Sequence, residues 1–91
     1  MATHAYYIAH EAIHNAVKHA KADLIRICLT NQAKIVTLTI EDNGIGIGNP
    51  SPGMGIRIMS YRASRIGATL NFEKTLMGGT RVRLELVRPE P

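Results

Sequence analysis

Glu11, Asn15 and Lys18 stand at i, i+4 and i+7, so on a helix they share one face. A carboxylate beside an amide oxygen suits Mg²⁺, which takes hard oxygen ligands, water and phosphate, and an ammonium one turn on suits phosphate charge. Taken alone, the trio also reads as a solvated helix face with a Glu/Lys pattern. A second group adds to it. Asp42 closes the alternating run Val36, Leu38, Ile40, so it shares their side of a strand rather than that of Thr37, Thr39 and Glu41. A carboxylate at the end of an apolar row is costly without a donor. The exocyclic amino group of adenine is such a donor, and an inward Thr80 at the start of a later strand can share that edge directly or through water.

Between these groups runs EDNGIGIGNPSPGMGIRIM, Glu41 to Met59, which holds five of the eight glycines. Gly44 and Gly46 follow Asp42 and let the backbone pass close to a ligand, and Gly53 to Gly55 bring free amides to the start of a helix, where phosphate is favoured. Read only as a connecting loop, Pro50 and Pro52 are its punctuation. That reading leaves the inward Asp42 without a reason. Gly78 and Gly79 taken alone are a hairpin turn.

The elements that must position these residues follow from periodicity. Tyr6 to Ala20 reads as a helix with Ala9, Ala12, Ile13, Ala16, Val17 and Ala20 on one side, and His4, Glu11, Asn15 and Lys18 within an arc of roughly 60° opposite, Tyr7 and His19 at its margins. Leu24 to Leu29 and Ile35 to Asp42 form a hairpin turning around Asn31 and Gln32. Ile56, Met59, Ala63 and Ile66 recur at helical spacing until Gly67, a helix-ending glycine, with Arg57, Arg62 and Arg65 off that stripe. Ala68 to Glu73 and Thr80 to Val87 make a second hairpin through TLMGG, with Thr80, Val82, Leu84 and Leu86 inward. Helix, strand, strand, loop, helix, strand, strand with antiparallel hairpins implies a two-layer α/β sandwich, two helices on one face of a mostly antiparallel sheet.

Composition narrows the classes. The 91 residues, 45% hydrophobic and 20% charged, suit one domain over 1–91, with 88–91 a polar tail. No bilayer-length apolar run and no signal-peptide pattern occur, which reads as a cytoplasmic domain without membrane contact. The net charge of +4 is spread among scattered Lys and Arg, and without Trp and with one Phe nucleic acid is not expected. Cys28 in an alternating strand reads as a packed or half-packed thiol. His10, His14 and His19 are read on different sides of their helix, without a Cys or carboxylate set at metal spacing, so zinc is not expected. No dinucleotide fingerprint, P-loop or nucleophile elbow is present.

With these residues in hand, the sequence resembles the ATP-binding domain of sensor histidine kinases, in the superfamily that also holds gyrase, the Hsp90 chaperones and MutL. HEAIHNAVKHA (His10 to Ala20) looks like the family's N box, DNGIG (Asp42 to Gly46) like its first glycine box, GMGI (Gly53 to Ile56) like its second and GGT (Gly78 to Thr80) like its third. The resemblance covers Ala5 to Leu86, and the short interval before Gly53 is similar to short-lid, nitrate-sensor-like members. IMSYRA departs slightly from their Met-Arg pattern. The resemblance implies the Bergerat ATP-binding fold, with Glu11 as the polar or basic group near the γ-phosphate and Asn15 as Mg²⁺ ligand. It implies nucleotide contacts from Lys18 and His19, with Lys18 on phosphate. Asp42 would read the adenine amino group with Thr80 nearby, Gly44 and Gly46 would shape the base pocket, and Gly53, Met54, Gly55 and Ile56 would form the phosphate-side motif.

The implied function is an ATP- and Mg²⁺-binding catalytic domain of a two-component sensor histidine kinase. It would pass the γ-phosphoryl group to a histidine on dimerisation helices outside this sequence, with a response regulator as indirect partner. The parent kinase can be membrane-anchored. Isolated, the domain should bind nucleotide and transfer poorly. The alternatives are an anti-sigma-factor-type serine kinase of the same superfamily and a non-catalytic nucleotide-binding interaction domain.

Overall fold

The computed structural model describes residues 2–46, 54–76 and 78–87. The chain runs α1 (Ala2–Lys18), β1 (Ile25–Gln32), β2 (Ile35–Asp42), α2 (Ile56–Arg65), β3 (Thr69–Lys74) and β4 (Thr80–Val87). The four strands form one antiparallel sheet in the order β1-β2-β4-β3, and the helices pack on each other, α1 against β2 and α2 against β3. This is the expected two-layer sandwich.

Register sets the two faces. Ile40 pairs with Ile27 and Val82, and Leu84 with Leu38 and Leu70, so these side chains lie on the helix side of the sheet. Ile40, Val82 and Leu84 are buried with Ile8 and Ala12 of α1 and Met59 and Ala63 of α2. The opposite face carries Glu41, Glu73, Arg81 and Arg83 in a cross-strand ion-pair ladder, its shortest contact 2.8 Å from Arg81 Nε to Glu41. The helix layer is narrower than the sheet. Ile27 and Leu29, on the inner row of edge strand β1, are 55% and 68% exposed.

Local details differ from the sequence reading. β1 extends through Asn31 and Gln32, and the hairpin turns on Ala33 and Lys34, with Gln32 paired to Ile35. Both turn residues have positive φ, 50° and 72°, the handedness that a two-residue hairpin needs to match strand twist. The stripe of α1 that meets the sheet is Ile8, Ala12, Asn15 and Ala16, all buried, whereas Val17 is exposed. These are positions i, i+4, i+7 and i+8, so Asn15 belongs to the buried stripe and not to the face opposite it. Ala9, Ile13 and Val17 widen the apolar arc of this helix and shift its apparent centre. His10 and His14, being one turn apart, share one exposed side of α1. Cys28 points outward from β1 and is exposed. Gly67 does end α2 in the left-handed region, at φ 68°. Residues 88–91 lie outside the described residues.

Candidate functional site

The C-terminal half of α1 is where the motifs meet. Asn15 is 2% exposed, and its Nδ2 donates to the Met54 carbonyl at 2.8 Å. Its Oδ1 is buried with no hydrogen-bond partner. A buried amide oxygen without a donor is an energetic liability of roughly 1–3 kcal/mol unless a ligand meets it, and an amide oxygen is a hard donor of the kind that Mg²⁺ accepts. The residues present therefore fit that cation. Glu11, half-buried one turn earlier, lies against the start of α2. A β-carbon on Gly55 would sit 2.8 Å from Glu11 Oε2, and Gly55 itself has φ 69° as the cap of α2. Both conditions favour glycine.

Past the end of α1, His19 is half-buried, and its Nε2 is a second buried atom without a partner. Lys18 is exposed in the last turn of α1, where a cation also meets the negative end of the helix dipole. The backbone N–H groups of His19 and Ala20 both donate to the Asn15 carbonyl, at 2.9 and 3.0 Å.

Asp42 stands beyond the segment that follows α1. It is buried at the end of the inner row of β2. Its Oδ1 accepts from the backbone N–H of Gly44 at 2.8 Å and of Thr80 at 3.4 Å. Thr80 is buried as the first residue of β4, next to Asp42 as the alternation predicts. A buried carboxylate at a sheet end is an acceptor suited to an amino group.

Glycines close the distance between these loops. A side chain on Gly44 would collide with the Ala20 carbonyl, and one on Gly79 with the Asp42 carbonyl. Gly46, at φ 85°, would place a β-carbon 2.8 Å from the Gly78 carbonyl. The crowding these three relieve is with the protein's own backbone, which draws the first glycine motif against the segment after α1 and the first and third motifs against each other. Ile45 N–H, donating to the Ala20 carbonyl at 3.0 Å, makes the same connection. Met54 is buried, and Ile56 packs against the core as the first residue of α2. Gly53 and most of the expected lid, 47–53, lie outside the described residues.

The sequence reading assigned nothing to Asn43. Its Oδ1 accepts from the backbone N–H groups of Asp23 and Leu24, both at 3.1 Å, fixing the entry to β1 beside the site. The signal was present in DNG, since Asn next to Gly at a strand end commonly bonds local backbone. A depression of about 490 Å³, lined in part by Leu24, Arg26, Glu41, Asp42, Asn43 and Arg81, opens at the same end of the sheet. Arg26, Glu41 and Arg81 belong to the outward row, so it opens on the face away from α1 and borders the site at Asp42.

Farther along the two helices, Arg62 of α2 stacks 4.1 Å over the Tyr7 ring, and its Nη1 donates to His4 Nδ1 at 3.3 Å. Partial burial first, and the Arg62 guanidinium second, hold the His4 imidazole below its ordinary value of 6.5.

Comparison with known proteins agrees with this geometry. Residues 2–90 match the family described as histidine kinase-, DNA gyrase B-, and HSP90-like ATPase. The chain is 43% identical over 88 residues to the nitrate/nitrite sensor protein NarQ of Escherichia coli, covering 92% of this chain and 16% of that protein. It is 33% identical over 85 residues to the sensor protein VraS of Staphylococcus saprophyticus, covering 90% of this chain and 24% of that protein. Among solved structures, the ATP-binding domain of PrrB from Mycobacterium tuberculosis matches with a TM-score of 0.81 at 28% identity, over 97% of this chain and 69% of that one. The chain thus spans less than a quarter of the length of these two sensor proteins. On the family match and the shared fold, the chain belongs to the histidine kinase-, DNA gyrase B- and HSP90-like ATPase family, as an ATP-binding catalytic domain of the sensor histidine kinase type.

Proposed function

We propose that this domain binds ATP with Mg²⁺ and presents the γ-phosphoryl group to a phosphoacceptor histidine on a dimerisation domain of its parent kinase, which then serves a response regulator. The observation that carries the nucleotide reading is Asn15 Oδ1, buried without a hydrogen-bond partner, together with the buried carboxylate of Asp42 at the end of β2. Asp42 Oδ2 accepts the adenine amino group, and Thr80 shares that edge. Gly44 and Gly46 form the base-side loop. Asn15 holds the cation, which when bound neutralises phosphate charge. Lys18 and His19 meet phosphate from the end of α1, and Gly53, Met54, Gly55 and Ile56 from the start of α2. Glu11, beside Gly55, takes the proton of the attacking group or orients it. Catalysis of this kind rests on positioning and charge neutralisation.

ATP as substrate implies the cytoplasm. Among the described residues no helix is long and apolar enough to cross a membrane.

A thermal-shift titration with ATP, ADP and GTP, each with and without Mg²⁺, tests the reading. Stabilisation selective for adenine and enhanced by Mg²⁺ is expected, and equal response to GTP overturns the base assignment. Acceptor-histidine helices of the parent kinase, supplied in trans with labelled ATP, test the transfer. An acid-labile phosphoryl product is expected. An acid-stable phosphoserine on a protein substrate instead makes the chain an anti-sigma-type serine kinase.

A further inference from the structure

The segment His10-Glu11-Ala12-Ile13-His14 lies wholly within α1, and it puts two imidazoles at i and i+4. On an α-helix such residues are neighbours, their β-carbons about 5–6 Å apart. Both side chains are exposed, and among the described residues no imidazole nitrogen of either has a hydrogen-bond partner. Side chains on a helix lean toward its N-terminus. The His10 ring accordingly lies 6.1 Å from the Tyr6 ring one turn earlier. Glu11, between them in sequence, faces away toward Gly55.

We propose that His10 and His14 form a binding site for a borderline transition-metal ion, Zn²⁺, Ni²⁺ or Cu²⁺, on the outer side of α1 and apart from the nucleotide site. Neutral imidazole nitrogens suit these ions, whereas Mg²⁺ and Ca²⁺ call for oxygen. Among the described residues no third His, Cys, Asp or Glu stands with the pair, so water completes the coordination. With two protein ligands, and Glu11 held on another side of the helix, the site binds metal without forming the hydrolytic centre that two histidines and a glutamate at this spacing build in metallopeptidases. Bridging two successive turns, the ion stabilises α1, the helix that also carries Asn15.

The test is calorimetric titration of the untagged chain with NiCl₂ and with ZnSO₄ in excess Mg²⁺, with tyrosine emission recorded in parallel. The chain has no Trp, so Tyr6, next to His10, reports quenching by Ni²⁺. One saturable site is expected, weakened about tenfold or more in His10→Ala and in His14→Ala. Circular dichroism of the free variants verifies that the fold persists. Absence of saturable binding, or equal affinity in either histidine variant, overturns the proposal, and neither result bears on nucleotide binding.

Discussion

The Asn15 side chain donates to the Met54 carbonyl at 2.8 Å across 39 positions of sequence. One end of this amide therefore fixes the second glycine motif against α1, while its other end, Oδ1, is left buried and open. On the proposed function, structure and ligand binding share one side chain.

Asn15→Ala accordingly has two effects. Losing the bond to Met54 destabilises the fold by about 1–3 kcal/mol. ATP affinity falls in Mg²⁺ and changes much less in EDTA. Calorimetry under both conditions checks this, and an equal loss in each contradicts the metal role.

Asp42→Asn keeps an Oδ1 acceptor for the Gly44 and Thr80 amides, so the thermal midpoint changes little. The charge-assisted contact to adenine is lost, at about 1.5–3 kcal/mol, which is tenfold or more in ATP affinity. Unchanged affinity by titration calorimetry removes the base site from Asp42.

Gly79→Ala sets a β-carbon against the Asp42 carbonyl, where the neighbour is backbone and cannot swing aside. A loss of about 1–3 kcal/mol, as for other overpacked sites, is expected, together with weaker ATP binding. A wild-type melting midpoint would show that β4 moves freely away from β2 here.

Ala33→Asn should stabilise. Ala33 holds φ 50° in a two-residue hairpin turn, a conformation that Asn tolerates far better than Ala. A gain of about 0.5–1 kcal/mol is expected, and about 4–8 °C per kcal/mol in a domain of this size. Thermal denaturation measures it.

His4 gives the fold a pH dependence. Its folded value is lowered, so the unfolded chain binds the proton more readily, and its contribution is fully present above about 6.5. It is lost as pH falls from there through the folded value. The cause fits the geometry, since Nδ1 must keep its lone pair to accept from Arg62. Denaturation midpoints between pH 7.5 and 5 should fall less steeply for His4→Gln than for the wild type.

Much of this was legible beforehand for a physical reason. Strand parity is a local property, so Val36, Leu38, Ile40 and Asp42 were assigned to one side from alternation alone, and the buried Asp42 follows it. Helix existence was similarly local. Which side of α1 is buried was not, because small apolar residues lie around most of its circumference and only the sheet beneath selects Ile8, Ala12 and Ala16. The extended β1 escaped the reading because Asn31 and Gln32 look like turn residues, whereas cross-strand pairing moves the turn to Ala33 and Lys34.

The sequence by itself determined the inventory: an asparagine one turn after a glutamate, a carboxylate at a strand's end, three glycine motifs in order and the antiparallel hairpins between them. Tertiary structure decided what those groups touch. That Asn15 holds Met54, that Gly44 rests on Ala20 and Gly79 on Asp42, and that one oxygen of Asn15 is left buried and open all depend on how separate elements pack. Near-neighbour spacing encodes periodicity; contacts between distant segments exist only once the core has brought them together.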